Sequence, residues 1–202
     1  MHTIILRSLA FVAMISITLA GFQAAISPTP ASAAPQDANF TFAVFPVDSS
    51  FALVKDSWGA RRPGGRRHKG TDIIAPRGTP VLAVSSGVII EMDYRPSSGY
   101  YVRIDHGDGW QSVYLHLNND TFGTDDGAGG TWSAFYPTLT VGTEVFAGDV
   151  IGYVGDSGNA EDTIPHAHVA VTLDGTKINP YPLVMDALER EERTVRASLE
   201  PI

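Results

Sequence analysis

The stretch PHAHVAV, residues 165–171, sets His166 and His168 one alanine apart in a run that otherwise has the apolar, β-branched character of a buried strand. Side chains two apart in an extended chain share a face, so both imidazoles project to one side while Ala167 and Val169 take the other. Two such rings can bind a metal or move a proton, and they can equally be core histidines satisfied by backbone carbonyls. Ligands elsewhere in the chain decide between these. In RRHKGTDIIAP, residues 66–76, His68 and Asp72 stand four apart. That spacing shares a face in a helix and in a strand, and Gly70 with the β-branched run after it favours a loop leading into a strand. His68, Asp72 and His168 together make an N,N,O set, and three protein ligands leave a fourth tetrahedral position open, the pattern of a catalytic rather than a structural zinc.

The chain has six histidines and no cysteine, which removes thiolate metal sites, disulfides and a cysteine nucleophile. His2 lies in the amino-terminal segment. His106 falls in HGDG, where Asp-Gly supplies the positive backbone angles of a tight hairpin, so His106 is expected in a turn. His116, in VYLHLNN, closes a strand, a place where histidine more often serves structure.

The elements that must position these residues are short strands. Glycine and proline are frequent, with 20 and 13 residues, and apolar runs such as TPVLAVSSGVIIEMDY and YYVRIDHGDGWQSVYLHL alternate with turn signals, which predicts a mainly β fold. Residues 118–137 are rich in Gly and Asp yet hold Phe122, Trp132, Phe135 and Tyr136, and so read as a long ordered loop able to line a cleft. The end, PLVMDALEREERTVRASLE, has helical spacing and dense charge.

A formal net charge of −8 excludes nucleic acid and anionic membrane as partners on bulk electrostatics. Residues 1–33 carry Arg7, an apolar stretch from Leu9 to Ala20 and small residues ending in Ala31-Ser32-Ala33, the pattern of a secretory signal peptide cleaved before Ala34. The expected organisation is a signal peptide over 1–33, a linker over 34–44, one domain over 45–185 and a helical tail over 186–202. The mature protein is then expected outside the cytoplasm, secreted or in the cell envelope, with no membrane attachment.

HKGTD, YLHL and PHAH, in that order, with SWGARR before them and GTPVLAVSSGVI and VGTEVFAGDVIGYVGDSG between, resemble the lysostaphin-type (LytM-type) zinc metallopeptidases that cut peptidoglycan peptides. The resemblance runs from about Phe45 to about Leu183. It implies antiparallel β-sheets forming a groove around a zinc site, of the duplicated hybrid motif type, with a short peripheral helix at the carboxyl end. It also implies His68, Asp72 and His168 as ligands of one Zn2+, His116 and His166 as the catalytic histidines, with His166 favoured as the base, and peptidoglycan peptides as the substrate. Pro165 before the histidine pair and VAV after it depart from the family's usual glycine and Phe-Glu, which bears on pocket shape. The runner-up within the same fold is a silent member that regulates another wall hydrolase.

Three other readings fail on context. GDSG at 155–158 is similar to a serine-protease nucleophile loop, but it sits in a turn before the histidine pair and no partner histidine motif accompanies it. No histidine is followed by glutamate, so a helical His-Glu-x-x-His zinc motif is absent. Biotinyl and lipoyl carriers need an exposed hairpin lysine that is missing. The basic run RRPGGRRHK, 61–69, is either a solvated loop or a place where Arg61, Arg62 or Arg67 meets a substrate carboxylate.

Overall fold

The computed structural model describes residues 40–199; the expected signal peptide and the first residues of the linker lie outside them. Among the described residues no helix is long and apolar enough to cross a membrane. The strands are β1 (Leu53–Lys55), β2 (Thr71–Ile74), β3 (Pro80–Leu82), β4 (Gly87–Arg95), β5 (Gly99–Gly107), β6 (Trp110–Leu117), β7 (Glu144–Val145), β8 (Val150–Tyr153), β9 (His166–Leu173) and β10 (Thr176–Ile178). Two helices join them, α1 (Gly130–Ala134) and α2 (Tyr181–Leu199).

One large sheet runs in the order β1-β2-β9-β6-β5-β4-β7, with β10 paired to β9, and β3 with β8 forms a second, two-stranded sheet. All pairings are antiparallel, as expected for a mainly β fold. The large sheet is apolar on one face. Ile73, Ile89, Ile104, Tyr114, Val169 and Val171 enter a core shared with Val81 and Ile151 of the small sheet and with Phe42 and Phe45 of the entering chain. Fully burying one such side chain is worth about 1.5–3 kcal/mol, so this face fixes the strand register. The residues between them in sequence, His168 and Ala170 among them, are thereby forced onto the opposite face.

The β5–β6 turn is Asp108–Gly109, with φ of 48° and 79°, the pair of left-handed residues a two-residue hairpin needs. His106 is not in that turn. It is a buried residue of β5 whose Nδ1–H donates to the Ser86 carbonyl at 2.8 Å and whose Nε2 meets Ser112 Oγ at 2.8 Å. Burial pushes its pKa down. The Asp-Gly signal located the turn but extended it too far toward the amino end.

The carboxyl-terminal helix is longer than a short peripheral one. It starts at Tyr181, and Val184 and Ala187 of its first turns belong to the main core. Only the later turns, where apolar residues give way to charge, are exposed. The long loop is ordered through Asp120, which is fully buried and accepts the Gly127 N–H at 2.7 Å, and through α1.

Arg77 ties this loop to the turn before β9. Its guanidinium reaches Asp156 at 2.7 and 3.0 Å, Asp125 at 2.8 Å and also Asp120. Asp120 and Asp156 are almost wholly excluded from solvent, so removing the cation leaves buried charge uncompensated. Arg77→Met is expected to cost about 3–5 kcal/mol of stability, read from the urea midpoint. An unchanged midpoint contradicts the role given to Arg77.

Candidate metal centre

Strand register brings the first two candidate residues together. Asp72 of β2 and His168 of β9 are direct cross-strand partners, and directly opposed side chains share a face at contact distance. His68 arrives from the loop before β2, where its backbone is pinned by bonds from Gly59 N–H to the His68 carbonyl at 3.0 Å and from His68 N–H to the Ala60 carbonyl at 2.9 Å. The three side chains close a nearly equilateral triangle of donor atoms. His68 Nε2 lies 3.0 Å from Asp72 Oδ1 and 3.0 Å from His168 Nδ1, and His168 Nδ1 lies 2.8 Å from Asp72 Oδ1.

Each corner is oriented from behind. His68 Nδ1–H donates to the Ser57 carbonyl at 3.0 Å, which turns the Nε2 lone pair into the triangle. Asp72 Oδ2 accepts from Arg62 Nη2 at 2.5 Å, which leaves Oδ1 for the triangle. His168 is held by contact: a Cβ built on Gly70 would sit 2.3 Å from His168 Nε2 and 2.7 Å from the Val169 carbonyl oxygen, so only glycine lets the loop pass over this ring. Burial alone would raise the Asp72 pKa, but hydrogen bonds and charge from His168 and His68 outweigh it and hold the carboxyl well below its usual range. Burial pushes the His168 pKa down against the pull of Asp72. A carboxylate oxygen and two imidazole nitrogens thus converge within about 3 Å, donors of the types that zinc takes. Bonds of 2.0–2.2 Å in tetrahedral geometry set ligand atoms about 3.3–3.6 Å apart, somewhat wider than these separations, so a bound metal requires the three side chains to part slightly.

His116 and His166 flank the triangle. Strict alternation along β6 would send His116 into the core beside Tyr114. Instead His116 has φ 59°, and the β5–β6 register shifts between Tyr100 and Val102, so a bulge reverses the parity of the strand end. The ring then lies 5.2 Å from that of His166 and 5.8 Å from that of His168, centroid to centroid. His116 Nδ1–H donates to the Ser157 carbonyl at 2.9 Å, and burial pushes its pKa down to about 4, so it is neutral at pH 7 with Nε2 free. His166 Nδ1–H donates to the Ile164 carbonyl at 2.9 Å, and its Nε2 is 3.9 Å from Asp72 Oδ1.

The five residues singled out in the sequence therefore share one site, whereas Ser57, Arg62, Gly70 and Ser157 were not given their positions by any motif. Ser157 sits in the GDSG turn, fully buried, with its hydroxyl donating to the Leu117 carbonyl at 2.5 Å and accepting Tyr100 N–H at 3.0 Å. A hydroxyl so engaged is scaffold, not nucleophile. Within the basic run, Arg62 pairs with the chain's own Asp72 and Arg67 donates to the Gly59 carbonyl at 3.1 Å. A second group of carboxylates, Asp120, Asp125 and Asp156, already encloses the Arg77 guanidinium.

Residues 66–128 match the sequence profile of Peptidase family M23. The chain is 32% identical over 124 residues to the DD-carboxypeptidase/endopeptidase Mpg of Neisseria meningitidis serogroup B, covering 61% of this chain and 24% of that protein. It is 31% identical over 143 residues to the peptidoglycan DD-endopeptidase ShyA of Vibrio cholerae, covering 68% of this chain and 29% of that one. The chain thus spans about a quarter of the length of these curated relatives. Among solved structures, the catalytic domain of lysostaphin from Staphylococcus simulans superposes with a TM-score of 0.53 at 27% identity, covering 66% of this chain and 92% of that domain. A zinc-containing peptidase from Vibrio cholerae superposes with a TM-score of 0.53 at 26% identity, covering 69% and 39%. Sequence profile, relatives and fold lead to one statement: this chain carries a Peptidase family M23 domain of lysostaphin-like structure.

Proposed function

We propose that the protein is a secreted, zinc-dependent endopeptidase that hydrolyses peptide bonds in peptidoglycan cross-links or stem peptides. The observation that carries this is the triangle of His68 Nε2, His168 Nδ1 and Asp72 Oδ1, three donors of the types zinc takes, aimed at one point with no side chain of the protein between them. The names of the relatives, peptidoglycan DD-endopeptidase among them, support the substrate class, and the pattern of residues 1–33 supports export.

In this reading His68, His168 and Asp72 hold one zinc, which supplies Lewis acidity for the attack of water on the scissile carbonyl. The chain's own groups do the proton work. His166 Nε2, free because Nδ1–H is committed to Ile164, takes the proton of the attacking water and returns it to the leaving amine. Burial holds the His116 pKa near 4, and its fixed, neutral ring orients water through Nε2. Arg62 and Ser57 keep the donors aimed as charge redistributes. A silent regulator has no use for a complete donor set with two aligned histidines, and nothing observed favours that alternative.

His168→Ala and Asp72→Ala are each expected to lose zinc and turnover together, against about one zinc per wild-type chain by elemental analysis. His166→Ala and His116→Ala are expected to keep zinc while hydrolysis of purified cell walls falls by roughly 10²–10⁴. Stoichiometric zinc in the first pair, or its loss from the second, contradicts the division of roles.

Gly70→Ala tests the shape of the centre without touching a donor. The added methyl has no room beside His168 Nε2 and the Val169 carbonyl, so the ring must move. Zinc affinity is expected to drop at least about tenfold, the effect usual for displacing a ligand's support, in competition with a chromogenic chelator. Unaltered affinity places the ring's restraint elsewhere.

A further inference from the structure

The sheet face that carries the triangle continues into a groove of about 250 Å³ that His168 helps to line. An apolar strip of Val113, Leu115 and Ala170 forms part of its floor, and four cations line it: Lys69, Arg95, Arg103 and Lys177. Two of the chain's three lysines are thus gathered in one place on a molecule whose formal charge is −8.

Among the described residues only one carboxylate pairs with them. Glu91 accepts from the Tyr101 hydroxyl at 2.5 Å and from Arg103 Nε at 3.0 Å, and pairs with Arg95 as well. Arg95 also lies over the Tyr101 ring, 4.9 Å from its centroid. Glu91 therefore fixes two guanidinium groups in place but neutralises one charge. Lys69 packs over the Trp58 ring at 5.3 Å, and Lys177 stands on β10 opposite Thr172. Neither lysine forms an ion pair among the described residues. The Lys177 pKa is pushed down by partial burial and by the neighbouring Arg103 charge, the strain of a cation held near another without an anion. No step of the mechanism above uses any of these five charged groups.

We propose that this groove binds a free carboxylate of the peptide substrate, set back from the scissile bond, and so selects acidic over amidated peptides. The inference rests on the endopeptidase reading for which peptide enters, and on the groove alone for its charge preference. Fixed guanidinium forks suit a carboxylate, and the two lysines supply the excess positive potential that draws it in. The apolar strip accommodates the small side chains on either side of it.

The test measures binding by titration calorimetry on the zinc-loaded full chain carrying His166→Ala, so that the peptide survives. The probes are a cross-linked stem-peptide dimer with free carboxylates and the same dimer fully amidated. The free acid is expected to bind at least about tenfold more tightly, the worth of one charge-assisted contact, with the gap narrowing as salt rises. Adding Lys69→Gln and Lys177→Gln is expected to bring the ratio toward one while zinc content stays at the parent value. Equal affinity for the two dimers, including none for either, overturns the groove assignment, as does a ratio that survives the double substitution. Digestion of the same dimers by wild-type protein separates the two claims: selective binding without cleavage keeps the groove and removes the hydrolytic reading, whereas cleavage of both at equal affinity does the reverse.

Discussion

The opposition of Asp72 to His168 across β2 and β9 is the constraint on which the candidate centre depends. The large sheet has two faces with different tasks, and the alternation of side chains couples them. Ile73, Ala167 and Val169 are fully buried on the core face, and slipping β9 by one residue would expose Ala167 and Val169 while driving both histidines inward. Hydrophobic packing that never touches the centre therefore sets the distance between its donors. The triangle tolerates its own crowding because each corner is braced: His68 by Ser57, Asp72 by Arg62, and His168 by the close passage of Gly70.

His116 reaches the same face by breaking the alternation. Its left-handed backbone costs on the order of 1–3 kcal/mol for a non-glycine residue, and such strain persists only where the surroundings enforce it. The enforcing contacts converge from two segments. His116 N–H donates to the Ser98 carbonyl at 2.9 Å, its Nδ1–H donates to Ser157, and Ser157 is wedged against Gly99, where a side chain would meet its carbonyl at 2.4 Å. Arg77 then anchors Asp156, the residue before Ser157, to the long loop. A turn that in sequence is similar to a protease nucleophile loop is here the bracket that fixes a histidine's tautomer.

The fold class and the pairings of His68 with Asp72 and of His166 with His168 were legible because they are written in local patterns, whereas His116 entered only through the resemblance carried by YLHL. Period-two hydrophobicity, Asp-Gly at the hairpin, and His and Asp at same-face spacings each carry their meaning within a few residues. The rest was not local. His106 lies beside a turn signal, yet its ring is buried because β5 continues one residue past it, an outcome set by pairing with β6. The bulge at His116 depends on Ser98 and Ser157, which are remote in sequence. Arg62 could be read as solvated or as substrate-facing, and only the folded loop shows that its guanidinium meets Asp72. The start of α2 at Tyr181 reflects packing of Val184 and Ala187 into the core, which charge density later in the helix obscures.

In the function proposed, one carboxylate and two imidazoles, and not the flanking rings, hold the metal. X-ray absorption at the zinc edge of the zinc-loaded protein tests it most directly, because multiple scattering counts imidazoles in the inner shell. Two imidazoles and oxygen ligands at about 2.0–2.2 Å are expected. Three or four imidazoles would draw His116 or His166 into the shell and contradict it, as would a shell with none.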